Sequence, residues 1–263
     1  MSGTAVPVLM YHWVHPDLGD RLRLYGVTPD AFAWQMRHLH AAGYRSASLY
    51  DLQEHLAGRK VLGERRIVLT FDDGYVDNVE RAGPILEELG YTATIFIVTD
   101  RAGQANAWDS DHGDAPRPLL SWEAMRRHDG DVFTFEPHSR THPNLTEIDP
   151  ARAREEISGS GRRLEDELGR RATVFAYPHG ARNLHLDQLS KEAGYAAAVT
   201  DTQGRNRPGD DPFLIKRTMI TSRDILPTYM FKVMTGYGVY GLGATLLRKV
   251  AGEPGAKESR DAV

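Results

Sequence analysis

Short apolar runs alternate with longer amphipathic stretches along most of this chain, and that alternation excludes more folds than any other property of the sequence. Val6 to Tyr11 reads as a first strand; if it is extended, Val8, Met10 and His12 share one face. Thr28-Pro29 has the form of a helix cap followed by proline at the first helical position, and Phe32, Met36 and Leu39 supply the apolar stripe before Gly43. A strand near Ser46 to Leu49, a short helix around Leu52 and Leu56, and a buried strand at Ile67-Val68-Leu69 follow. Val79, Ile85, Leu86 and Leu89 predict a helix that Pro84 kinks or restarts, and Thr92 to Val98 is β-branched and aromatic as a strand requires. Further helices are expected at Ser121 to His128, after Asp149-Pro150 and at Leu184 to Ala193, with strands at Val132 to Phe135, Thr173 to Tyr177, Ala196 to Val199 and Phe213 to Arg217. About seven strand-helix units fit an α/β fold, either a parallel barrel or a doubly wound sheet. In both, ligands bind at the carboxyl ends of the strands.

Composition narrows the chemistry. The 263 residues carry a net charge of -4, which gives no electrostatic case for nucleic acid. Cysteine is absent, so disulfides and thiolate chemistry are excluded and any metal must be held by His, Asp or Glu. Residues 1–10 lack the marks of a signal peptide, and the expected compartment is the cytoplasm. One main domain over 1–225 is expected, then an apolar extension at 226–250 and a disordered tail at 251–263. Within the extension, Tyr229 to Leu247 is interrupted by Lys232 and by Gly236, Gly238, Gly241 and Gly243. That pattern favours a packed or membrane-surface helix, with possible peripheral membrane contact through 229–247, over a spanning one.

Three stretches concentrate reactive side chains at predicted strand ends. In Thr70-Phe71-Asp72-Asp73-Gly74, two carboxylates sit where a strand stops. Neighbouring side chains point to opposite faces inside a strand, but both can reach one pocket mouth at its end, where glycine lets the chain bend. His138-Ser139-Arg140-Thr141-His142 follows another strand and spaces two imidazoles as cis ligands of one metal. One Asp and two His leave coordination positions open for water and substrate, and the second Asp remains to accept a proton from that water. Phe175-Ala176-Tyr177-Pro178-His179-Gly180 ends a third strand and reads either as a proline-glycine turn or as a rigid backbone N–H placed beside an oxyanion. The aperiodic loop at 100–120, with Trp108 and Asp109, is a candidate for sugar contacts; the alternative reading of Trp108 is an anchor for the loop.

Together these stretches resemble, in order and spacing, the first three motifs of the NodB-homology polysaccharide deacetylases, carbohydrate esterase family 4, over residues 5–220. The resemblance implies a distorted parallel (β/α) barrel and a hydrolase that removes acetyl groups from an N-acetylated glycan with one divalent metal ion. It makes Asp72 the catalytic base and Asp73, His138 and His142 the metal ligands, with Tyr177 in the third motif a substrate contact. Zinc is the ion expected for one Asp and two His; cobalt, nickel or iron would fit the same donors. Two departures stand out: Ala176 replaces the family's motif arginine, and His179 replaces its aromatic residue, which leaves the backbone N–H of His179 as oxyanion donor. The late histidine motif is also missing, while Leu9-Met10-Tyr11-His12 stands near the start of the chain. This resembles the circularly permuted branch that includes the poly-N-acetylglucosamine deacetylases, and it makes His12 the candidate general acid. The alternative from another class is a sugar-binding barrel without catalysis.

Overall fold

The computed structural model describes residues 4–20, 22–106, 108 and 115–238. The chain opens with strand β1 (Val6–Tyr11) and a short β2 (Trp13–Val14), which pairs in parallel with β3 (Gly26–Val27). Helix α1 (Pro29–Ala41) starts where the Thr28 hydroxyl accepts the Ala31 N–H, as the Thr-Pro signal predicts. The expected strand at Ser46 to Leu49 is shorter and earlier: β4 is Arg45–Ser46, because Ser48 caps helix α2 (Leu49–Leu56) by accepting the Asp51 N–H. Strand β5 (Arg66–Phe71) leads to a wide π-helical turn at Asn78–Ala82 and helix α3 (Gly83–Glu88), a break that coincides with Pro84. Strand β6 (Ala93–Ile97), helix α4 (Trp122–His128), strand β7 (Phe133–Pro137) and helix α5 (Pro150–Leu168) follow. Asp149 caps α5 with two N–H bonds, and Gly169 ends it at φ 69°.

Strand β8 (Val174–Ala176), helix α6 (Leu184–Glu192), β9 (Ala197–Val199), β10 (Arg205–Asn206), β11 (Thr218–Met219) and helix α7 (Leu226–Thr235) complete the order. The expected strand over Phe213 to Arg217 shrinks to a single parallel bridge, Ile215 to Val199 of β9, with Ile215 N bonding Ala198 O at 3.1 Å and Thr200 N bonding Ile215 O at 2.9 Å. Asp211 caps a tight turn at Pro212–Leu214, and the strand proper begins only at Thr218. Of the apolar stretch from 229, α7 buries Tyr229, Lys232 and Val233. Lys232 is held inside by Asp224 at 2.6 Å and the Met219 carbonyl at 2.9 Å. Residues 239–263, and with them the expected tail, lie outside the described residues. No described helix is long and apolar enough to cross a membrane.

The central sheet runs β10-β1-β5-β6-β7, with β11 on β1 and β4 on β5. All of these pairings are parallel except β1 with β10. The first strand therefore lies in parallel between β5 and the last strand, as a permuted barrel requires. Alternation along the strands divides the core. Val8, Val68, Phe96, Ala176 and Val199 fill the interior together with Leu52 and Leu56 of α2. Leu9, Leu69, Ile95 and Phe135 face outward onto the helices. Among the described residues no backbone ladder joins β7 to β8. Side chains span that seam. The buried Glu136 carboxylate accepts from Thr173 N at 2.8 Å and Val174 N at 3.0 Å, and the His138 ring binds the Ala176 carbonyl at 2.9 Å. The fold is a distorted (β/α) barrel with this seam as its distortion.

Candidate active site

The carboxyl ends of β1, β5, β7 and β8 converge on a cavity of about 230 Å³ lined by His12, Asp72, Asp73, Trp108, His138, His142 and His179. Asp72 N still bonds Tyr11 O at 2.9 Å, so this residue closes the β1–β5 ladder. Asp73 then turns left-handed at φ 75°, which breaks the strand alternation and brings the second carboxylate to the same mouth. Gly74 continues at φ 81°, where a Cβ would come within 2.7 Å of Ile97. His138 N likewise extends the β6–β7 ladder by bonding Ile97 O at 2.8 Å. Beyond it Ser139 (φ 62°) and His142 (φ 65°) are left-handed, and so is His179 (φ 58°). Each such residue costs about 1–3 kcal/mol, so four of them around one cavity are held there by their surroundings.

Asp73, His138 and His142 are buried, and one ligand atom of each lies within 4.8 Å of the others. Asp73 Oδ1 stands 3.3 Å from His142 Nε2 and 3.6 Å from His138 Nε2, yet it accepts no hydrogen bond among the described residues. Three buried atoms with lone pairs converging in this way suit a divalent cation and little else. His138 meets a further requirement. Its Nδ1 faces a carbonyl and must carry the proton, which leaves the Nε2 lone pair for a ligand. Burial, only partly opposed by Asp72, lowers its pKa to about 4, so the ring is neutral at physiological pH. Burial would raise the Asp73 carboxyl, but the neighbouring His142, His12 and His138 rings hold it well below the usual carboxylate range.

Asp72 is in a different environment. Arg217 Nη1 donates to its Oδ1 at 2.6 Å and Arg217 Nη2 to its Oδ2 at 2.8 Å, a bidentate pair with the guanidinium fully buried. The remaining donors of Arg217 reach Thr200 O (3.1 Å) and Asp201 Oδ1 (3.1 Å). Burial pushes the Asp72 carboxyl up, but the Arg217 charge, with His138 and His12 behind it, keeps it below its ordinary value and therefore ionised. Each carboxylate oxygen retains a lone pair after bonding Arg217, so the group can still accept a proton. Arg217 is the residue that sequence reasoning missed. The one available hint is the arginine lacking at Ala176, since a buried carboxylate beside the site needs a cation from somewhere.

Of the other expected residues, His12 reaches the cavity just beyond β1, with its ring edge-on to Tyr25 (5.1 Å) and Trp13 (6.5 Å). The Asn78 amide fixes its backbone by donating to His12 O at 2.6 Å. Trp108 lies 4.4 Å from the His142 ring and also packs toward Trp13, Tyr75 and Leu119, so it is at once an anchor and a cavity wall. The His179 ring meets that of His142 edge-on at 4.5 Å. Asp109 lies outside the described residues. Tyr177 is not brought to the cavity. It is fully buried on the outer face, where its hydroxyl bonds Asp187 and Ser190 of α6, because Phe175 and Tyr177 alternate away from Ala176.

A protein of Bacillus subtilis (strain 168), provisionally named polysaccharide deacetylase YxkH, is 26% identical over 216 residues, 82% of this chain and 71% of that one. The poly-β-1,6-N-acetyl-D-glucosamine N-deacetylase of Staphylococcus aureus (strain MRSA252) is 22% identical over 210 residues, 76% of this chain and 69% of that one. Among solved structures, the Streptococcus pyogenes deacetylase PplD in complex with acetate shares the fold at a TM-score of 0.75 and 24% identity, covering 88% of this chain and 99% of its own. IcaB from Ammonifex degensii does so at 0.75 and 22%, covering 88% and 97%. Residues 59–198 match the family model described as polysaccharide deacetylase, and with the Asp and His motifs in place at one cavity the chain belongs to that family of hydrolases.

Proposed function

We propose that the protein is a metal-dependent N-deacetylase that hydrolyses the acetamide of an N-acetylated glycan, with zinc as its ion and N-acetylglucosamine units as its substrate. The observation that carries this reading is the division of labour between adjacent carboxylates. Asp73 is grouped with two imidazoles, while Asp72 is bound to Arg217 and held ionised beside them. The named activity of the staphylococcal relative supports the choice of sugar.

A divalent cation held by Asp73, His138 and His142 would supply Lewis-acid polarisation of the acetyl carbonyl and a lower pKa for the attacking water. Asp72 accepts the proton of that water, with Arg217 fixing the plane of its carboxylate. The backbone N–H of His179, carried on a left-handed residue at the cavity wall, is the donor assigned to the tetrahedral oxyanion. His12 gives its proton to the departing amine, which leaves poorly without it. The test is release of acetate from a panel of N-acetylated oligosaccharides by the zinc-loaded protein. Activity on at least one N-acetylglucosamine oligomer, lost in Asp72→Asn, is expected; an Asp72→Asn protein as active as the wild type would overturn the assignment.

A further inference from the structure

The loop that carries both imidazole ligands is gripped from outside the cavity by a carboxylate that the chemistry above does not use. Glu156 lies on the buried side of α5, beside Ala153 and Ile157, and is 5% exposed. A carboxylate in such a place needs donors; Arg152 of the same helix stands 4.0 Å from its Oε1, and its hydrogen bonds all come from the loop. Its Oε2 accepts from Arg140 N and from Thr141 N, both at 2.9 Å, and its Oε1 accepts from the Thr141 hydroxyl at 2.6 Å. Two consecutive backbone N–H groups converging on one oxygen form an anion-binding nest. The opposite edge is held as well: Ser139 O and Arg140 O accept from Thr99 N (3.1 Å) and Asp100 N (2.9 Å). His138 and His142 are the two ends of this clamped segment. Because Ser139 and His142 are left-handed, the segment does not keep its shape unaided.

We infer that Glu156 is a positioning residue of the metal site, holding the Arg140–Thr141 backbone so that His142 stands in register with His138 and Asp73. The inference rests on the reading of Asp73, His138 and His142 as metal ligands. Glu155 is the natural control. It is the next residue on the same helix, its side chain is 50% exposed, and its carboxylate bonds the Arg140 and Arg162 guanidinium groups without touching the loop backbone.

The experiment measures zinc affinity, by competition with a chromophoric chelator, for the wild type, Glu156→Gln and Glu155→Gln, with the urea midpoint of each metal-free protein recorded alongside. Glutamine can keep both N–H groups on its one oxygen, but it removes the charge that strengthens those bonds and puts an amide where the Thr141 hydroxyl needs an acceptor. Glu156→Gln is expected to bind zinc about 10–100-fold more weakly while remaining folded, and Glu155→Gln to match the wild type. If Glu156→Gln does not fold, Thr141→Val takes its place. It removes one of the three donors to the carboxylate and is expected to weaken zinc binding by less. Equal zinc affinity in Glu156→Gln and the wild type, or equal losses in the two glutamine variants, would overturn the positioning role alone. A wild type without zinc affinity would overturn the metal reading beneath it.

Discussion

Replacing Arg217 with methionine tests the electrostatic design of the cavity more directly than removing any ligand. The side chain is fully buried and donates to four acceptors: both oxygens of Asp72, Thr200 O and Asp201 Oδ1. Methionine fills similar space but leaves the Asp72 carboxylate charged, buried and without its main partner. Breaking a buried pair from one side costs about 3–5 kcal/mol, which for a domain of this size lowers the melting temperature by about 6–20 °C. Asp72→Asn strands the cation instead and should cost a comparable amount. The double variant strands neither. If the guanidinium is there to compensate this carboxylate, the costs fall short of additivity by about 2–3 kcal/mol. Urea unfolding of the four metal-free proteins measures the cycle. Costs that add to within about 0.5 kcal/mol would refute the reasoning, because Arg217 would then be stabilising something other than Asp72. In the zinc-loaded protein, Arg217→Met should lose at least about 100-fold in kcat/KM, as expected when a base is misplaced by about an ångström.

The other expectations follow from single groups. Asp72→Asn should lower turnover by at least about 100-fold with zinc content unchanged, whereas His138→Ala should lose both, as elemental analysis and acetate release would show. The His138 pKa falls from 6.5 to about 4 on folding, so the unfolded chain takes the proton first. The stability this neutral ring contributes is therefore complete above 6.5 and lost as the pH falls toward 4, about 3 kcal/mol in the metal-free protein. His138→Gln should flatten that part of the stability–pH curve. Tyr177→Phe should cost about 1 kcal/mol of stability and leave KM unchanged, since the lost hydroxyl bonds α6 and not the cavity. A raised KM would place the substrate where the structure places a helix.

What could be read beforehand was local. The Thr28, Ser121 and Asp149 caps, the strands expected at Val6 to Tyr11 and at Thr92 to Val98 (observed as Ala93–Ile97), and the Asp and His pairs each carry their signal within a few residues. Arg217 carries none, because its meaning lies in a carboxylate 145 residues away in sequence. The strand expected over Phe213 to Arg217 is cut to one bridge at Ile215 for a related reason. Its apolar residues are there to pack, Phe213 against the helices and Ile215 inside the barrel, while Asp211 and Pro212 set the backbone into a turn. Tyr177 shows the limit of motif reasoning: it keeps the outward face it shares with Phe175, while His179, beyond the strand, reaches the cavity only because its left-handed backbone breaks the alternation.

The seam between β7 and β8 has a consequence for how the barrel breathes. Amide protons in a ladder exchange with solvent only when strands separate, but those of Thr173 and Val174 are guarded by one carboxylate, and swinging Glu136 aside would release both. The second rivet across that gap is His138, whose ring joins β7 to the Ala176 carbonyl through one nitrogen and offers the other to the ligand group. Local opening at the seam and loss of the ligand geometry are then one event. A cation bound by that group would therefore also tie down the seam, and amide exchange along 173–176 would report its binding without any substrate.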